Sequence, residues 1–291
     1  PDGVGAQSQG IVTQQMSIDV VNVVSTTGSC IVSRANPIVL MNAGEAAFMK
    51  TVNNANYKLG ADITLPDTWA QGSTNTGIKI FFGTLDGQNY RITASDPVFL
   101  KIYGARDGTV QDPDTEANLK WGYIHDVNFY LTGPVTTGVL GQVIGATVKN
   151  TKLTGNSSAV FNAYSDNTAA FINSLQGNSY LYNCFTNIKV TVMGAAIGHI
   201  AGLIGTVAAQ AATVDNCGSA SEISSIYSNS AVASLIGGLE TMVSPGIVKN
   251  CYTGGKVNTT GYYIAVGTNN AGAGFISNLY WSINDTAQLS Q

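Results

Sequence analysis

The sequence predicts an all-β protein: a right-handed parallel β-helix with an N-terminal β region and one short helix. Three observations carry this expectation. A five-residue phrase recurs as VKNTK from Val148, LYNCF from Leu181, VDNCG from Val214 and VKNCY from Val248, which puts Asn150, Asn183, Asn216 and Asn250 at intervals of 33, 33 and 34 residues. A second phrase of small and apolar residues recurs between them: GVLGQV at 138, AFINSL at 170, GLIGTV at 202, SLIGGL at 234 and GFISNL at 274. A fixed period of this size is the signature of a solenoid, each repeat being one coil stacked on the next. The third observation is composition. Charged residues make up 10% of the chain, against roughly 25% in ordinary soluble domains, while Gly alone numbers 33.

Residues 1–37 read as N-terminal strands forming a cap, with the β-branched run Ser17–Val24 at their centre. Residues 38–291 read as a single β-helix domain, with leading coils over 38–135 and repeat coils over 136–291. Residues 44–54 carry the one helical pattern, with Ala, Phe, Met and Val on a helical period and Asn42 as a cap. Tyr57–Leu65, Ile78–Phe82, Asn89–Thr93 and Val98–Tyr103 read as strands, interrupted by a loop holding Trp69 and by the turn Asp86-Gly87. Residues 104–118 are the most polar segment and read as a loop inserted in a coil. Residues 122–131 match the Asn phrase without its Asn, since Ile124-His125-Asp126-Val127 aligns with Val148-Lys149-Asn150-Thr151.

In a parallel β-solenoid, equivalent side chains stack about 4.8 Å apart. Val139, Phe171, Leu203, Leu235 and Phe275 are expected to form one inward ladder. The repeated Asn fits a coil corner, where it tolerates left-handed angles and its side chain bonds backbone groups. A row of Asn facing a ligand is the functional alternative. Cys184, Cys217 and Cys251 each follow the repeated Asn and so occupy one row. Their spacing falls inside the Cα range that a disulfide allows, although directly stacked side chains point the same way. At least one disulfide is expected, with Cys30 the candidate to bridge to a neighbouring chain.

A net charge of −4 with no basic stripe argues against nucleic-acid binding. So few charges leave little repulsion between molecules, and the expected partners are copies of the same chain, with cell-surface glycans as a second class. Thr191–Val214 is 24 residues without Lys, Arg, Asp or Glu, long enough to cross a bilayer. It is Gly-rich and contains a repeat phrase, so two buried strands are expected instead of a membrane span. The opening PDGVGAQSQG lacks the basic start and apolar run of a secretion signal, as expected of a secreted chain after cleavage and equally of a cytosolic one. Asn156, Asn258 and Asn284 stand in Asn-x-Ser/Thr sequons and are glycosylation candidates.

No catalytic residue, cofactor or enzyme activity is expected. The repeats offer few acids and no Arg, and no nucleophile motif is present. Asp107, Asp112, Asp114 and Glu116 are candidate Ca²⁺ ligands without an EF-hand pattern, and a solvated loop explains them as well. His125 and His199 read as core or surface histidines. The many Tyr residues read as half-buried ladders on a sheet face, with sugar-stacking rows as the alternative.

The segment Glu45–Met49, Tyr57-Lys-Leu-Gly-Ala-Asp-Ile63, Trp69 and Phe82-Gly-Thr-Leu-Asp-Gly-Gln-Asn-Tyr-Arg-Ile92 resembles the start of right-handed β-helix surface proteins of the GLUG-repeat type. The phrases Gly202-Leu-Ile-Gly205 and Leu235-Ile-Gly-Gly238 lie close to the repeat that names them, and the resemblance spans roughly 38–280. A nearly uncharged, Cys-containing β-helix also resembles the sheath subunits of filamentous methanogenic archaea. These resemblances imply a structural, self-assembling extracellular protein of a cell-surface layer, sheath or filament. A cell-surface adhesin or carbohydrate-binding β-helix is the alternative, and a polysaccharide lyase or hydrolase the third reading.

Overall fold

The computed structural model describes residues 37–70, 77–104, 122–194, 198–208, 211–227, 231–240, 247–258, 265–271 and 275–281. Nearly all of the expected N-terminal strands and of the polar loop 104–118 therefore lie outside the described residues. The helical stretch forms as two short pieces, α1 (Ala43–Ala46) and α2 (Phe48–Thr51). Asn42 caps the first: its side chain accepts from the Glu45 N–H at 3.0 Å, and the Glu45 carboxylate accepts from the Met41 N–H at 2.5 Å. Both donors would otherwise be orphaned. Helices this short have no stability of their own. Burial of Ala46 and Met49 in the main core supplies it.

From there the chain winds, and every strand pair among the described residues is parallel, each strand bonding to its equivalent one coil away. The first face stacks nine strands: Ile38–Leu40, Asn56–Leu59, Thr84–Asp86, Tyr123–His125, Thr147–Lys149, Tyr180–Tyr182, Thr213–Asp215, Ile247–Thr253 and Ile276–Trp281. The second face runs from Ile63–Thr64 through Arg91–Ala94, Asn128–Leu131, Lys152–Gly155, Phe185–Thr186 and Gly218–Ser219 to the far half of Ile247–Thr253. The third holds Phe99–Tyr103, Leu140–Ile144, Ile172–Gln176, Ile204–Val207, Ile236–Leu239 and Val266–Asn269. Two smaller sheets, of four and three strands, lie between the second and third in chain order. The expected fold class, an all-β parallel β-helix with one short helical stretch, is the one the chain adopts. Thr191–Val214 is divided among strands of successive coils, and no helix among the described residues is long and apolar enough to cross a membrane.

Apolar side chains stack in register inside the coils. On the first face Leu85, Ile124, Val148, Leu181, Val214 and Val248 are successive partners, and all are buried. On the third, Val139, Phe171, Leu203 and Leu235 each precede the register partners Leu140, Ile172, Ile204 and Ile236, and all four are buried. Phe275 is not their fifth member. The third face continues at Val266, the partner of Ile236. Phe275 is only half-buried and leads into Ile276–Trp281, which pairs with Ile247–Thr253 on the first face. Small and apolar residues alternate on several faces of one coil, so that pattern alone does not say which face a phrase occupies.

The corners between first and second faces are the most regular feature. Asp126, Asn150, Asn183 and Asn216 follow first-face strands, Asn250 and Asn278 hold the same register inside the longer strands Ile247–Thr253 and Ile276–Trp281, and all six have positive φ, between 49° and 54°. Asn pays the smallest penalty there of any residue except Gly. Main-chain N–H groups of Asp126, Asn150, Asn183 and Asn216 donate to carbonyls one coil ahead, at 3.0–3.2 Å. Side-chain amides donate one coil back: Asn150 to Asp126 (2.9 Å), Asn183 to Asn150 (2.8 Å) and Asn216 to Asn183 (3.3 Å). A second run starts afresh, with Asn250 donating to Asp215 and Asn278 to Asn250, each at 2.9 Å.

Two predictions follow from these contacts. Asn183→Gly keeps the left-handed corner and loses the side-chain bonds, whereas Asn183→Ala loses both. We expect losses of about 1 and about 2–3 kcal/mol in urea unfolding, and equal losses would mean that backbone strain plays no part. In the second-face row, Thr186 and Thr253 are buried and their hydroxyls have no hydrogen-bond partner. Such a hydroxyl gives up hydration without return. Thr186→Val, nearly isosteric, should therefore raise stability by about 1 kcal/mol; a lower urea midpoint would show that the hydroxyl is bonded.

Candidate functional site

Where the corner row begins, three potential ligands converge. Asp86 and His125 end the strands Thr84–Asp86 and Tyr123–His125 and are register partners, so their outward side chains sit on adjacent rungs. Asp126 follows at the left-handed corner, with φ 54°. His125 Nδ1 lies 2.7 Å from Asp126 Oδ2 and 3.7 Å from Asp86 Oδ1. One ligand atom from each residue falls within 4.8 Å of the other two, and this is the one such group of His, Cys, Asp or Glu found among the described residues. All three side chains are half-buried.

The surroundings fix each group. Asn150 donates to Asp126 Oδ1 at 2.9 Å. The Gln88 main-chain N–H donates to Asp86 Oδ1 at 3.0 Å, and its side-chain amide donates to the other oxygen. The imidazole stacks on Tyr123, with centroids 4.3 Å apart and planes at 24°. Gly87 is required for the approach, because a Cβ there would come within 2.3 Å of the Asp126 carbonyl oxygen. Two carboxylates and an imidazole this close suit a shared cation. Glycoside hydrolysis uses carboxyl groups set roughly 5–9.5 Å apart to flank a sugar bond.

Read linearly, His125 stands in no metal-ligand motif, although Asp126 follows it directly. The coil adds Asp86, 39 residues upstream. The signal lay in the alignment of Ile124–Val127 with Val148–Thr151, which puts Asp126 in the corner row. Asn278 joins that row too, since Ile276-Ser277-Asn278 registers with Val248-Lys249-Asn250. His199 is separate: its Nδ1 lies 2.8 Å from Asn167 Oδ1 and 3.7 Å from Glu240 Oε1.

Cys184, Cys217 and Cys251 form one buried row and all three are free, so none of the three carries the expected disulfide. Their thiols point the same way, as parallel stacking dictates. Each donates to the carbonyl two residues earlier: Cys184 to Tyr182 (3.3 Å), Cys217 to Asp215 (3.2 Å) and Cys251 to Lys249 (3.1 Å). Thr151 makes the same bond to Lys149 at 2.8 Å, so the thiols do the work of a small buried hydroxyl. Burial pushes the Cys217 thiol well up from its ordinary pKa, and the bond to Cys217 followed by burial does the same for Cys251. Cys30, the loop acids Asp107, Asp112, Asp114 and Glu116, and the sequon Asn284 lie outside the described residues. Asn156 is exposed and bonded to the Thr132 carbonyl at 3.1 Å, and Asn258 is an exposed strand residue.

The tyrosines divide between packing and surface. Tyr57 is fully buried, its hydroxyl donating to the Val52 carbonyl and its pKa raised by burial. Tyr252 lies over Gly218, where a Cβ would come within 2.2 Å of the ring, and stacks with Phe185 at 6.3 Å. On the last rung Tyr280 and Trp281 are 63% and 52% exposed, beside Tyr252 at 47%.

No family model matches the chain. No curated protein matches it either. Among solved structures it is similar to a Bacteroides ovatus protein provisionally named an immunoglobulin A1 protease, with 16% identity and a TM-score of 0.53 over 86% of this chain and 85% of that one. A likeness at this identity shows the fold alone. It nevertheless corrects the expectation that the chain is no enzyme: a neighbour with the same fold carries a protease name, so neither the solenoid nor its sparse acids set catalysis aside.

The thiol row yields a prediction. In a Cys30→Ser background, the native protein should react with a thiol reagent at least about a hundredfold more slowly than the denatured protein, because all three thiols are buried. Fast native labelling of three thiols would contradict their placement.

Proposed function

We propose that the protein is a structural β-solenoid of an extracellular or cell-surface layer, in which copies join end to end. The observation that carries this reading is the last described rung. Among the described residues Ile276–Trp281 pairs on one side only, with Ile247–Thr253. It presents Tyr280 and Trp281 outward and contains no charge and no Pro. Natural proteins usually blunt such an edge with charge, Pro or a covering segment. At the opposite end of the same face, Ile38–Leu40 pairs, among the described residues, only with Asn56–Leu59, and Val39 is 46% exposed with Met41 beside it at 51%. Joining one copy's last rung to the next copy's first rung continues the parallel stack. That contact is heterologous and does not close, so it builds a filament.

The low charge of the chain supports the same reading, since little repulsion opposes close packing. In this proposal 38–291 act as one solenoid unit, the partner is a further copy of the chain, and the setting is a cell envelope. Sedimentation velocity over a hundredfold concentration range tests it. The unaltered chain should form growing oligomers. A Tyr280→Lys, Trp281→Lys variant with an unchanged circular dichroism spectrum should stay monomeric. A monodisperse monomer at every concentration would contradict the proposal.

A further inference from the structure

We propose that Asp86, His125 and Asp126 bind a divalent transition-metal ion, of which Zn²⁺ and Mn²⁺ are the probes of choice. An ion held about 2.1 Å from each ligand, in tetrahedral or octahedral geometry, needs ligand atoms roughly 3.0–3.4 Å apart. The imidazole nitrogen lies 2.7 Å from one carboxylate oxygen and 3.7 Å from the other. These separations bracket the requirement, so an ion is seated by small movements at side-chain ends, with the coils left in place.

The ligand set selects the ion. One imidazole nitrogen and two carboxylate oxygens suit Zn²⁺, Mn²⁺ and their neighbours. Ca²⁺ takes six to eight oxygens, more than these residues offer. Outer contacts already orient the ligands: Asn150 holds Asp126, Gln88 holds Asp86, and Tyr123 lies against the imidazole. Groups of this kind fix a ligand before the ion arrives and contribute substantially to affinity. The half-buried setting leaves coordination positions open to water or to an outside ligand. Asp86 belongs to one coil and His125 and Asp126 to the next, with Asn150 in the third, so the ion would clamp adjacent rungs. This inference stands independently of end-to-end assembly.

The alternative is an ordinary imidazole–carboxylate contact with no appetite for metal. Full-length protein stripped with a chelator and titrated calorimetrically with Zn²⁺ and Mn²⁺ separates the two. We expect one equivalent of at least one of these ions per chain, with His125→Gln and Asp86→Asn each weakening binding tenfold or more. Because the chain has only two histidines, NMR of the unaltered protein gives a readout that needs no variant: Zn²⁺ should shift one imidazole set and leave the other unchanged. Absence of binding at millimolar ion would overturn the proposal. So would binding that survives both substitutions together, or equal shifts at both histidines.

Discussion

The fold rests on one residue per coil: the left-handed corner between the first and second faces. At that point the chain turns with a positive φ that most side chains resist, and the residue placed there bonds in both directions. At Asn150, Asn183 and Asn216 the main-chain N–H reaches the coil ahead, and the side-chain amide reaches the coil behind. A β-solenoid has no distant contacts to hold a coil in register, so each coil depends on its neighbours alone. The corner residues make that dependence directional. Their amides align along the stack, and each aligned run ends on a carboxylate, Asp126 for the first and Asp215 for the second. An acceptor without a proton is what the last donor of such a run requires.

Register follows from the corner, and the chemistry follows from register. Because Asp126, Asn150 and Asn183 align, the residues just before them align too, which sets Asp86 on the rung next to His125. The residues just after them form the buried row Thr151, Cys184, Cys217 and Cys251, where a hydroxyl and three thiols make equivalent bonds. The same alignment places Tyr252 against Gly218 and leaves Tyr280 and Trp281 as the outer surface of the last rung. The cluster of Asp86, His125 and Asp126, the buried thiols and the exposed aromatic rings of the last described rung are therefore consequences of one repeated turn, reached through strands 24 to 39 residues apart.

Much of this was legible in the sequence. The interval between Asn150, Asn183, Asn216 and Asn250 identified the coil, and the 32-residue steps from Val139 to Leu235 identified an inward ladder. What escaped did so for physical reasons. Phe275 matched the third-face phrase in hydrophobicity, but several faces of a coil are equally apolar, and only Asn278 shows that the segment belongs to the first face. His125 showed only its neighbour Asp126 in a linear reading, because the second carboxylate, Asp86, comes from the previous coil. The cysteines lay at a plausible disulfide distance, yet parallel stacking aims their sulfurs alike and gives each a carbonyl to bond. The structural neighbour with the protease name shares 16% identity with this chain and was found through the fold.

The central claim is that the corner row ties coil to coil. Hydrogen exchange read by mass spectrometry on Asn150→Gly tests it most directly, because glycine keeps the turn and removes the link between Asp126 and Asn183. The account predicts faster exchange at residues 126–129 and 183–186 as well as at 150–153, with the second run, around Asn250 and Asn278, unchanged. Acceleration confined to 150–153, or spread evenly over every coil, would contradict it.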